Sequence, residues 1–197
     1  MENRKFFDEN GYLSIPGMIV DPESLYESPP LLPNGERVEG LWKYDRKGKF
    51  SINEGKQVIG SFERYNIPIY RQLHYLVRKE VEEILNMDLL PTYYFDRFYY
   101  VGQELSKHRD REACEISVTL QISTNSSKPW PIWFETPDGK DISVEMKNGD
   151  AVIYRGCERL HWREPLKGDR NTYHHQIFLH YVNSQGPFVH YAHDPGN

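Results

Sequence analysis

A mainly β fold with flanking helices, built as a jelly roll, follows from three features of the sequence. Runs rich in β-branched and aromatic residues crowd the chain after Pro91, at 93–100, 115–123, 130–135, 142–146, 151–154 and 173–182. Turn chemistry separates them: Asn125-Ser126-Ser127, Asp138-Gly139, Asn148-Gly149-Asp150 and Lys167-Gly168-Asp169. The composition agrees, with 14 Tyr, 9 Phe, 13 Pro and 14 Gly suiting strands joined by many turns. Short strands at that spacing, with no helical pattern between them, make a sandwich or barrel rather than alternating βα units.

Upstream, Phe6 to Asn10 reads as a short helix closed by Gly11. Tyr12-Leu13-Ser14-Ile15 alternates as a strand and stops at Pro16-Gly17. Residues 21–60 are irregular, with Pro29-Pro30, Pro33-Asn34-Gly35, a charged run at 43–49 and the aromatic anchors Trp42 and Tyr44. A loop of that length is either a cover over a functional site or a plain surface excursion. Residues 69–85 form the clearest helix, entered at Pro68, with Leu73, Leu76, Val77, Val81 and Ile84 as one apolar stripe. At 197 residues the chain is expected to be one domain. Residues 1–90 supply an N-terminal strand, the long loop and a supporting helix, and residues 91–185 supply the β core.

The formal charge of −5 gives no basic surface for nucleic acid. Cys114 and Cys157 make no Cys-x-x-Cys pair and no disulfide framework, so both are expected to be reduced thiols of a cytoplasmic protein. No apolar run reaches the length of a membrane span or a signal peptide.

The chemistry concentrates in His108-Arg109-Asp110 and, further on, Leu160-His161-Trp162-Arg163. Two imidazoles and one carboxylate are the set that holds Fe(II) on one face and leaves positions open for a cosubstrate and O₂. Alternation in an extended strand lets His108 and Asp110 reach one metal, with His161 brought alongside on another strand. The pair alone is a weak signal in a chain with eight histidines. Its context strengthens it.

That context resembles the Fe(II)/2-oxoglutarate-dependent oxygenases, in particular their prolyl 4-hydroxylase-like branch. The pieces stand in order. Tyr99-Tyr100-Val101-Gly102 precedes the His-x-Asp pair, and Cys114-Glu115-Ile116-Ser117-Val118-Thr119-Leu120 follows it. Gly149-Asp150-Ala151-Val152-Ile153-Tyr154 leads to His161, and Phe178-Leu179-His180-Tyr181-Val182 is similar to the closing strand. The likeness covers residues 90–182 and implies a double-stranded β-helix, the cupin-like form of the jelly roll. It also implies Fe(II) on His108, Asp110 and His161, with 2-oxoglutarate as cosubstrate, O₂ as oxidant and ascorbate as candidate reductant. The implied reaction hydroxylates an unactivated C–H bond and yields succinate and CO₂. A prolyl residue of a peptide or protein is the first substrate it suggests, and a small molecule or free amino acid the second.

The distal carboxylate of 2-oxoglutarate needs a cation, and the planar fork of arginine matches it. Arg163, two residues after His161, shares its face by strand alternation, whereas Arg170 has the offset that resembles the family's. Arg163 is favoured slightly, with His174 a third choice on the face of Gln176, Phe178 and His180. Tyr100 resembles the family's cosubstrate-binding tyrosine, and Ser117, Thr119 and Gln121 alternate on one face that can supply polar groups. Trp130, Trp133 and Trp162 are expected in the core or on the rim. The remaining histidines are read as hydrogen-bonded core or surface residues, with His180 set apart because its strand is expected to face the pocket. Two rivals stay open: a cupin-like metalloenzyme that does not use 2-oxoglutarate, and a non-catalytic jelly-roll binding module.

Overall fold

Two long antiparallel partners organise the molecule, β4 (Leu89–Tyr100) and β11 (Tyr173–Asn183). Alternation sorts their side chains. Tyr94, Ile177, Leu179 and Tyr181 join the apolar layer under the helices. Tyr93, Phe95, Arg97, Phe178 and His180 face the opposite way and line a cavity. A computed structural model describes residues 2–27, 51–54, 57–58 and 61–196 of the chain. The expectation for residues 21–60 therefore lies largely outside the described residues, Trp42 and Tyr44 included.

In chain order the described elements are α1 (Glu2–Asn10), β1 (Tyr12–Ile15), β2 (Ser51–Glu54), β3 (Phe62–Tyr65), α2 (Arg71–Leu85), β4 and β5 (Leu105–His108). They continue with β6 (Ile116–Thr124), β7 (Ile132–Glu135), β8 (Asp141–Val144), β9 (Ala151–Tyr154), β10 (His161–Arg163) and β11. One antiparallel sheet runs β1-β9-β6-β11-β4-β3-β2 and a smaller one runs β5-β10-β7-β8. Two such sheets face to face are the mainly β, jelly-roll arrangement expected from the strand spacing. Both helices cover the outer face of the larger sheet, where Phe7, Val77, Val81 and Leu85 pack on Val118, Leu120, Ile153 and Leu179. No helix among the described residues is long and apolar enough to cross a membrane.

The α2 stripe differs in detail from its sequence reading. Leu76 is 50 % exposed, and the buried face carries His74 instead. His74 stacks on Tyr181 at 4.7 Å, and its Nε2 donates to the His180 carbonyl at 3.1 Å, tying the helix to β11. Burial pulls this imidazole down from 6.5 to about 4. Between those values the unfolded chain binds a proton that the folded chain refuses. Stability present above pH 6.5 is therefore lost as pH falls towards 4. His74→Gln keeps a donor for the carbonyl and is expected to flatten that loss by about 1–3 kcal/mol, read from urea midpoints across the range.

Asp96, fully buried, points away from the cavity and accepts from Arg64 through both oxygens and from His175 Nε2 at 2.7 Å. Burial alone would raise this carboxyl, but His175 and the Arg64 cation hold it below its usual value. Arg64 also reaches Glu27 at 2.6 Å, which joins the segment after β1 to the sheet. Asp96→Asn leaves the largely buried Arg64 guanidinium with Glu27 as its remaining acid and removes the charged acceptor of His175, and a destabilisation of about 3–5 kcal/mol is expected in denaturant melts.

Candidate active site

His108 and His161 come together because β5 and β10 pair with those two residues directly opposite. Their ring centroids are 4.3 Å apart. Each imidazole is oriented in the same way. His108 Nδ1 donates to the Ser106 carbonyl at 2.7 Å, and His161 Nδ1 donates to the Arg159 carbonyl at 3.0 Å. A carbonyl can only accept, so the proton sits on Nδ1 and the Nε2 lone pairs are free for a metal.

Asp110 arrives by a different route from the one its spacing suggests. β5 ends at His108, so strand alternation does not place Asp110. Its backbone N–H donates instead to the Gly156 carbonyl at 2.9 Å, which swings the carboxylate under both rings. Asp110 Oδ1 lies 3.3 Å from His108 Nε2 and 3.5 Å from His161 Nε2. Ligands about 2.1 Å from one metal at right angles stand about 3 Å apart, so these three atoms fit a single ion on one face. Burial opposes the Asp110 charge, but the imidazoles hold its carboxyl far below the usual carboxylate range. Gly156 is required here by space. A Cβ on it would come within 2.7 Å of Asp110 Oδ2, Ser117 Oγ and the Cys114 carbonyl.

The three residues open onto a cavity of about 390 Å³. One wall is aromatic: Tyr65, Phe95 and Phe178 stack in succession at 4.9 and 4.7 Å, with Tyr93 beside them. Arg109 and Arg111 lie at its edge. Another part of the lining is a buried ion pair that nothing in the local sequence announces. Arg97 is held by Glu63, Gln57 and the Tyr99 hydroxyl, so its donors are already engaged.

Arg163 is the opposite case. It is buried on β10 at 1 % exposure, is not itself among the residues that line the cavity, and has no acid partner among the described residues. Nη1 donates to the Trp130 carbonyl at 2.5 Å, the guanidinium lies over the Trp130 ring at 4.8 Å, and Nε has no hydrogen-bond partner. Burial pulls it down to about 10, which leaves it cationic at neutral pH. Around it the interior is polar. Thr119 bonds Gln176 at 3.0 Å, Gln176 bonds His174 at 2.7 Å, and His174 meets the Trp130 ring edge.

Other expectations come out differently. Arg170 sits exposed in the turn before β11 and does not reach the cavity. Tyr100 ends β4 on the face opposite Arg97, and the inward residue is Tyr99, fully buried against Trp130. Strand parity decides this, and a one-residue error reverses it. Gln121 is buried and bonds Asn148 at 3.1 Å, away from the cavity lining. Trp130 is core, whereas Trp133 and Trp162 stack on each other with Lys107 over the second ring. His180, on the strand expected to face the pocket, lines the cavity beside Asp110. The face it shares with His174, Gln176 and Phe178 is the sequence signal for that placement.

No family model matches the sequence, and no curated protein is similar to it at the sequence level. Solved structures do match. A prolyl-4-hydroxylase from Pseudomonas putida aligns over 92 % of this chain and 97 % of its own at 13 % identity, with a TM-score of 0.63. The non-haem α-ketoglutarate-dependent carbocyclase SnoK of nogalamycin biosynthesis aligns over 100 % and 92 % at 12 % identity and 0.67. HygX from Streptomyces hygroscopicus, solved with nickel and 2-oxoglutarate, aligns over 93 % and 87 % at 13 % identity and 0.59. The chain has the fold of the Fe(II)/2-oxoglutarate oxygenases. This is the double-stranded β-helix, with the larger sheet backed by helices and the smaller one carrying His108 and His161.

Proposed function

We propose that the protein is an Fe(II)- and 2-oxoglutarate-dependent oxygenase that hydroxylates an unactivated C–H bond. The observation that carries this is the convergence of His108 Nε2, Asp110 Oδ1 and His161 Nε2 on one point at the wall of a cavity. Structures of the same fold, solved with nickel or Fe³⁺ and 2-oxoglutarate, support the choice of metal and cosubstrate. Iron, 2-oxoglutarate and O₂ together supply the oxidising power, with succinate and CO₂ as co-products.

This chain's own residues bind and orient. His108, Asp110 and His161 hold the ion, with the two carbonyl-tethered rings fixed before it arrives. Arg163 receives the distal carboxylate of 2-oxoglutarate. A buried cation without an acid is costly, and a bidentate carboxylate offsets that cost. Arg97 is unsuited to the same task because Glu63 already neutralises it. The wall of Tyr65, Tyr93, Phe95 and Phe178 holds the substrate against the metal and keeps water from it. Flat rings suit the pyrrolidine face of a prolyl residue, and prolyl hydroxylases are among the proteins that share the fold.

The test is succinate formation from 2-oxoglutarate with Fe(II) and O₂, with and without a proline-rich peptide. Faster succinate release together with a peptide heavier by one oxygen atom is the expected result. Succinate without peptide oxidation removes the prolyl substrate and keeps the oxygenase. No succinate under either condition contradicts the proposal.

A further inference from the structure

Beside the triad the cavity holds a second group of ligand-bearing side chains. Single ligand atoms of Asp110, Cys114 and His180 lie within 4.8 Å of one another. Cys114 and His180 are each 2 % exposed, yet both line the cavity, so an ion has access to them. We propose that these three residues form a second metal position, for a thiophilic divalent ion such as zinc, overlapping the first through the shared carboxylate of Asp110.

His180 has the arrangement of a ligand in waiting. One ring nitrogen, Nδ1, is 2.9 Å from Ser117 Oγ, while Nε2 is buried with no hydrogen-bond partner. Packing against Tyr93 at 4.7 Å and Phe95 at 5.7 Å fixes the ring plane. The imidazole therefore has a bonding position that the protein leaves open. Cys114 is equipped to coordinate as well. The Tyr93 hydroxyl lies 3.2 Å from Sγ and donates to a thiolate, and Arg111 sits over the same tyrosine ring at 4.9 Å. The carboxylate has an oxygen to offer on this side too. Oδ1 faces the two imidazoles of the triad, whereas Oδ2 faces Ser117 Oγ at 3.4 Å, next to His180.

Thiolate, imidazole and carboxylate in one site select zinc-like ions over magnesium or calcium, with a fourth position left to solvent. Binding releases one proton, from the Cys114 thiol to solvent. Because Asp110 serves both positions, an ion on Cys114 and His180 shares the charge of that carboxylate with the triad and weakens the hold of His108, Asp110 and His161 on an ion of their own. The second position thereby makes the site sensitive to zinc by a route that the triad alone does not provide.

Cobalt(II) is the probe, because cobalt–thiolate coordination absorbs strongly in the near ultraviolet and cobalt bound to nitrogen and oxygen does not. It is titrated into the full-length His108→Ala protein, where the triad is broken and the second group is intact. A thiolate charge-transfer band is expected there, kept on adding Cys157→Ser and lost on adding Cys114→Ser. Should the serine variant fail to fold, His180→Gln is read in its place, with at least a tenfold weaker cobalt affinity expected. Absence of the band from His108→Ala, survival of it in Cys114→Ser, or unchanged affinity in His180→Gln overturns the proposal. The oxygenase reading is judged separately, on wild-type protein with iron.

Discussion

Replacing Arg163 with methionine raises the 2-oxoglutarate concentration needed for half-saturation by about 100-fold or more, without loss of stability. Both halves follow from the surroundings of the guanidinium. Arg163 is fully buried with an unpartnered Nε and no acid among the described residues, so removing the charge relieves a desolvation cost that offsets the lost bond to the Trp130 carbonyl. Methionine also fills similar space beside Trp130 and Met146. The expected pattern is therefore a raised KM for 2-oxoglutarate at an unchanged or higher melting temperature. Arg170→Ala, in its exposed turn, should leave both unchanged. An unchanged KM in a destabilised Arg163→Met protein would make the residue structural and return the distal carboxylate to another group, His174 among them.

Loss of Asp110 has the larger effect. Asp110→Ala removes the one anion of the triad, and iron binding is expected to fall at least about 100-fold with turnover lost, because two neutral imidazoles alone hold Fe(II) weakly. The carboxyl is kept far below the usual range, so it is charged throughout the neutral region. Ser117 and Tyr154, which reach Oδ2 at 3.4 and 3.5 Å, remain in place to keep the loop packed. Iron content per chain and circular dichroism of the same sample separate loss of metal from loss of fold.

Much of the architecture was legible because long strands carry redundant signal. β4 and β11 offer eleven or twelve residues of alternating pattern, and an error of a residue at either end leaves the assignment intact. The three-residue β10 and the four-residue β5 offer no such pattern, although they carry both histidines of the site. What marks those histidines in the sequence is ligand chemistry and order along the chain. Strand alternation points to Asp110 from the sequence, whereas its position comes from the bond to Gly156. Glu63 and Arg97, 34 residues apart, meet only through the pairing of β3 with β4, and nothing local connects them. On β4 the inward residue is Tyr99 and not Tyr100, and a run of aromatic residues carries no signal that separates the two by one step of parity.

The most direct test is optical and anaerobic. Fe(II) and then 2-oxoglutarate are added to the wild-type protein and to Asp110→Ala, and the visible metal-to-cosubstrate charge-transfer band is recorded. A band in the wild type that Asp110→Ala lacks is the predicted result. Iron bound by the wild type without the band, or a band undiminished in Asp110→Ala, would contradict chelated 2-oxoglutarate on the His108, Asp110 and His161 triad.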